Sequence, residues 1–251
     1  MPVQFARNLT GATRAARANG QLGMVLAFIA GALNAGGFLA VHQYTSHMTG
    51  IVSAIADNAV LGLTAAIPAA LAALAAFVAG AACSAVMINF ARRRKLHSQY
   101  ALPLLLEAML LLCFGVAGAQ LTGRDAAFHI MTVMLLCFMM GLQNALITKL
   151  SGAEIRTTHI TGIVTDIGIE LGRMMYWHSG KHAALPPVRA DRAHLQLLLG
   201  LGGCFTAGAF IGAYGFHTVG YAMTLPLALL LLALASVPMV DDVRARRRRI
   251  G

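Results

Sequence analysis

One polar motif occurs twice, at equivalent places in two halves of the chain, and nothing else constrains the fold so tightly. The first copy reads Ser46-His47-Met48-Thr49-Gly50-Ile51-Val52-Ser53, and the second Thr158-His159-Ile160-Thr161-Gly162-Ile163-Val164-Thr165. Each follows a Gly-x-x-Asn-Ala, at Gly31 to Ala35 and at Gly141 to Ala145. A weaker correspondence joins Phe77-Val78-Ala79-Gly80-Ala81 to Phe205-Thr206-Ala207-Gly208-Ala209. There the glycines continue as small-x-x-x-small pairs, Gly80/Ser84 and Gly208/Gly212, a spacing read as close helix packing. A helix-starting polar element, duplicated amid apolar sequence, is what a duplicated transporter leaves behind.

The intervening sequence fixes the class. The chain is 58% hydrophobic with 11% charged residues, and its apolar runs approach the ~20 residues that cross a bilayer. One soluble core of this length could not bury them. The expectation is an all-α integral membrane protein of about six to eight membrane segments in two related halves. Helix candidates fall near 22–41, 48–67, 69–91, 101–121, 127–148, 159–175, 193–215 and 218–238. Pro68, Pro103 and Pro226 stand near helix starts, where a missing N–H costs little. A single membrane domain at 21–240, with halves at about 22–121 and 127–238, lies between basic cytoplasmic segments at 1–20 and 241–251. Leu33-Asn34-Ala35 loosely mimics a signal cleavage site, but the apolar run continues into the motif, so the first helix is expected to be kept.

Charge sets the topology. The net charge of +10 could suggest nucleic acid, but the basic residues cluster at segment ends and read as cytoplasmic anchors. If all eight segments crossed, Arg92-Arg93-Arg94-Lys95 would lie opposite the basic N-terminus, against the positive-inside rule. If segments 2 and 6 enter and return instead, six helices cross and every basic cluster faces the cytoplasm. Helices 1 and 5 then run in opposite directions, making the halves an inverted repeat with two short or re-entrant helices. Short tilted crossings, or seven crossings, are the alternatives.

The motif supplies the chemistry. Ser46 and Thr158 are expected as N-caps, with Thr49 and Thr161 three positions later. A helix starting inside a membrane presents free N–H groups and a partial positive charge, which suit an anionic or polar solute. Two such starts meeting from opposite directions would form one site from Asn34, Ser46, His47, Thr49, Gly50, Asn144, Thr158, His159, Thr161 and Gly162. The imidazoles can donate, accept or carry a proton near neutral pH. Asn34, Asn144 and Gln143 serve either as cavity walls or as interhelical hydrogen bonds.

At about 100° per residue, His159, Gly162, Asp166, Glu170 and Arg173 share one helical face, and His47, Gly50, Ala54 and Asn58 share the matching one. Acids at membrane depth are expensive and usually serve ion or proton movement. Asp57, Asp166 and Glu170 are therefore the candidate coupling acids; alternatively Glu170 and Arg173 are an ordinary surface pair. Glu107, alone in helix 4, is either a further buried acid or a snorkelling residue. His42, His129 and His217 lack ligand spacing. The four cysteines lie in apolar stretches without Cys-x-x-Cys, and no metal or cofactor set is expected. No Walker, His-Glu-x-x-His or Gly-x-Ser-x-Gly sequence appears.

Asn34-Ala35-Gly36-Gly37-Phe38, Ser46 to Gly50, Gly141 to Ala145 and Arg156 to Gly162 together resemble the YoaK family, over about Gly20 to Pro238. This is a bacterial group of small membrane proteins classed as a domain of unknown function and sometimes labelled permeases. The resemblance implies a multi-pass protein of the bacterial inner membrane and carries no substrate. His159 departs from it, standing where a bulkier aromatic residue is common. The reading is a secondary transporter or permease, not an enzyme, for a small anionic or zwitterionic solute, with proton coupling as an option. Its partners are that solute and the lipid bilayer, not nucleic acid, with homo-oligomerisation open. The rivals are an intramembrane enzyme using His and Asp chemistry, and a structural membrane partner whose polar motifs only lock helices.

Overall fold

The computed structural model describes residues 16–94, 96, 98–120, 126–151, 158–176 and 189–250. The basic stretch at 1–15, Lys95, the approach to the second motif at 152–157 and the segment 177–188 lie outside the described residues. The α-helices are α1 Ala16–Val41, α2 Met48–Val60, α3 Ile67–Arg93, α4 Ala101–Gln120, α5 Ala126–Leu150, α6 Ile160–Met175, α7 Arg192–Val219 and α8 Thr224–Ile250. Short 3₁₀ turns at Thr64–Ala66 and Gly220–Met223 lead into α3 and α8. Among the described residues there is no strand. The chain is an all-α membrane protein.

Five stretches are long and apolar enough to cross a membrane: Asn19–Leu39, Thr64–Arg93, Ala101–Ala119, Phe128–Leu150 and Arg192–Ser236. The last, at 45 residues, is two helices, because Gly220 takes φ 60° and breaks the run between α7 and α8. Exposed apolar side chains such as Val78, Val86, Phe210 and Tyr214 give the outer surface of α3 and α7 a lipid-compatible character.

The motif helices are different. With 13 and 16 residues, α2 and α6 extend roughly 20 and 24 Å, short of the ~30 Å hydrocarbon core. The sequence reading carried α2 to residue 67, and the structure ends it at Val60. Gly62 adopts φ 74°, and the Leu63 N–H returns to the Asn58 carbonyl at 2.8 Å, closing the helix with a glycine in the left-handed region. Pro68 then sits in the first turn of α3. At the chain ends the helices run further than expected, α1 beginning at Ala16 and α8 continuing to Ile250.

Packing pairs elements from different halves: α1 lies on α7, α3 on α5, and α4 on α8. The closest approaches repeat in matching positions. A Cβ at Gly31 would collide with the Phe205 carbonyl, and one at Gly141 with that of Phe77. Reciprocally, Gly208 abuts the Phe28 carbonyl and Gly80 that of Phe138. Glycine is required at all four because backbone meets backbone with no room for a methyl group. The fourth helices approach more loosely, with Gly115 against the Thr224 side chain and Phe114 edge-on to Tyr221, ring centroids 5.3 Å apart.

At the centre α1 meets α5. The Asn19 amide reaches the Leu150 carbonyl at 3.4 Å, and Gly37 faces Leu136, so the start of α1 lies against the end of α5. Leu22, Leu26, Ile29 and Leu33 from α1 join Leu136, Met139 and Met140 from α5 in the fully buried core.

Candidate functional site

Each motif is anchored by the asparagine that precedes it. The Oδ1 of Asn34, in α1, accepts hydrogen bonds from the Ser46 hydroxyl at 2.9 Å and the Ser46 N–H at 3.3 Å. The Oδ1 of Asn144, in α5, accepts from the Thr158 hydroxyl at 2.8 Å, while its Nδ2 donates to the Met140 carbonyl at 2.9 Å. Both asparagines therefore tie a long helix to the turn that leads into a motif helix, and both bound the site.

With Ser46 and Thr158 committed to the asparagines, the N-caps fall one residue later than expected. His47 and His159 are the N-caps, at φ −94°, ψ 70° and φ −87°, ψ 57°, and neither side chain bonds a first-turn N–H. The imidazoles fold back over the helix instead. A Cβ at Gly50 would meet the His47 ring, and one at Gly162 the His159 ring. The His-x-x-Gly spacing follows, since the third helical position must be bare where the ring lies over it. The first intrahelical bonds run from the Ile51 N–H to the His47 carbonyl at 3.1 Å and from the Ile163 N–H to the His159 carbonyl at 3.0 Å. The N–H groups ahead of them are the unpaired donors of a helix start.

The two starts share one cavity of about 770 Å³. The first half contributes Asn34, Ser46, His47 and Thr49, and the second Asn144, Thr158, His159 and Thr161. Gly50 and Gly162 do not line it but sit behind the imidazoles. Phe77 and Phe205 also line it, with Tyr44 and Thr148. Phe77 and Phe205 were legible as repeat equivalents, and Thr148 as the residue one turn beyond Asn144; for Tyr44 the sequence carried no signal. Tyr44 is stacked on Phe38, with ring centroids 4.6 Å apart.

A second cavity of about 480 Å³ lies on the other side of His47, lined by Phe38, His42, Gln43, Asn58 and His129 among others. His47 borders both cavities. Among the described residues no acidic side chain lines either one.

The three candidate acids lie elsewhere. Asp57 and Asp166 are exposed on α2 and α6. Glu170 is buried at 3% exposure but is fully engaged, accepting from the Arg173 guanidinium and, at 2.8 Å, from the Asp191 N–H. It ties the end of α6 to the start of α7, whose N-cap is Asp191. There the His194 N–H, helped by that of Ala193, holds the Asp191 carboxyl below the usual carboxylate range.

Gln143 also turns away from the cavity and donates to Glu107 Oε1 at 3.0 Å, both residues being fully buried. Among the described residues no group of three or more His, Cys, Asp or Glu side chains converges as a metal site would require.

Residues 22–237 match the model of a family described as protein of unknown function (DUF1275), and the chain belongs to that family. No curated protein and no solved structure matches it.

Proposed function

From membership of that family, and from the compatible resemblance to YoaK proteins, we propose that the chain is a secondary transporter or permease of a bacterial inner membrane. Its solute is small and anionic or zwitterionic. One observation carries the reading: two helix starts, one from each half, open onto a single cavity that has hydroxyls, imidazoles and free N–H groups but, among the described residues, no carboxylate. Two partial positive ends facing one space repel each other, and a negative group between them relieves that.

The halves are read as an inverted repeat. Support comes from the start of α1 lying against the end of α5 and from the matched glycine contacts. Six crossings, with α2 and α6 as re-entrant helices, then put both termini in the cytoplasm. Solute access would alternate around the shared cavity, as in other transporters built this way.

The test is uptake into proteoliposomes across a panel of small anions and amino acids. His47→Ala and Thr49→Ala should each lower initial uptake about tenfold, the equivalent of ~1.4 kcal/mol, with the protein still monodisperse. Wild-type rates in both variants would sink the site assignment. The structural-partner reading rests on the asparagine–hydroxyl bonds, and it requires the same variants to lose thermal stability instead.

A further inference from the structure

Glu107 of α4 is wholly buried, and its one hydrogen bond among the described residues comes from the Gln143 amide of α5. Two side-chain atoms of this pair are left without a partner, Glu107 Oε2 and Gln143 Oε1. As a carboxylate, Glu107 would carry a full charge in apolar surroundings on a single hydrogen bond, and both orphaned oxygens could only accept. Neither condition is tolerable at membrane depth. A single added proton resolves both. A neutral carboxylic acid donates from Oε2 while Oε1 accepts, and a primary amide does the converse, so the two close a ring of parallel hydrogen bonds.

We propose that Glu107 and Gln143 form a proton-binding site in the membrane core. On the transport reading, to which this part is tied, its proton is the one coupled to solute movement. Among the described residues, the helices packed on α4 offer no competing charge. Glu107 is the only ionisable group of α4 besides Cys113, and α8 carries none before Asp241. On α5 the titratable groups are His129, Cys137 and Lys149, and Lys149 is engaged with Asn89 Oδ1 at 3.1 Å. On α3 they are Cys83 and the terminal Arg92 and Arg93. None of these bonds Glu107.

The link to the cavity is one residue long. Gln143 precedes Asn144, which holds Thr158 and lines the cavity, so α5 carries the acid's partner and the second motif's anchor side by side. Releasing the proton opens the ring and leaves a charge that must find water or a cation, an event that bears directly on the position of α5. The feature is confined to one half. Leu33 stands in the first repeat where Gln143 stands in the second.

Infrared spectroscopy of the purified full chain tests protonation without any solute. A neutral-carboxyl carbonyl band should be present at pH 7, vanish in Glu107→Gln, and move in Gln143→Leu, which borrows the residue of the other repeat. Absence of a band removed by Glu107→Gln overturns the site. Proteoliposomes test coupling. An inward proton gradient should raise uptake several-fold in wild type and not in Glu107→Gln, while solute counterflow survives in the variant. A gradient response unchanged in Glu107→Gln overturns the coupling role. If the band is intact and no solute moves in any preparation, the transport reading fails while the proton site stands.

Discussion

The imidazoles of His47 and His159 lie where a side chain at Gly50 or Gly162 would have to go, so each motif is a two-residue device rather than a lone histidine. An alanine at either glycine would improve helix propensity by about 1 kcal/mol yet push the ring off the first turn. Gly50→Ala and Gly162→Ala should therefore keep or raise the melting temperature while lowering uptake. A drop in stability with normal uptake would show that the glycines serve packing alone. At this scale the sequence was legible in part. The repeated His-x-Thr-Gly marked the histidines and threonines that border the cavity, but not Tyr44, Phe77, Thr148 or Phe205. It misplaced the cap by one residue, because Ser46 and Thr158 answer to Asn34 and Asn144, twelve and fourteen positions away. The helical wheel set Glu170 on the same face as His159. A wheel fixes direction around an axis but not what stands opposite, and what stands opposite Glu170 is the Asp191 N–H.

Among the elements, α3 and α5 show how tightly the pairs are made. At Gly141 an added methyl would strike the Phe77 backbone, whereas at Gly168 and Gly172 of α6 it would meet nothing within 4 Å. Gly141→Ala should destabilise by about 1–3 kcal/mol through overpacking, seen as a lower melting temperature in detergent. Gly168→Ala should be neutral or stabilising. Equal effects in both would deny the close approach. The small-x-x-x-small pairs announced these contacts in the sequence, though not which helix would answer them. The shortness of α2 was hidden for another reason. Its apolar composition runs on to Ala66, and only the turn at Gly62 ends the helix.

Across the whole molecule, the pairing of α1 with α7, α3 with α5 and α4 with α8 leaves no half that closes on itself. The inverted-repeat reading sets the sidedness expected of the chain, to be tested at two positions outside the described residues. Single cysteines at His97 and Lys181, in a background without the four native thiols, should resist an impermeant reagent in intact cells and react after lysis. Labelling of the His97 position from outside would mean that α2 crosses, and the inverted repeat would fall. Composition made the membrane class readable, and the duplicated motif pointed to two halves. The interleaving was not, because apolar helices carry little sequence information about which neighbour they choose.

That interleaving also sets a timetable for synthesis. The glycine face of α1 is complete by Val41, but the helix that covers it ends only at Val219. At ~5–20 residues per second, roughly 9 to 36 seconds separate the two. Through that interval Gly31 lies open to lipid, or to any helix with a small-residue groove, and assembly waits until α7 has left the ribosome.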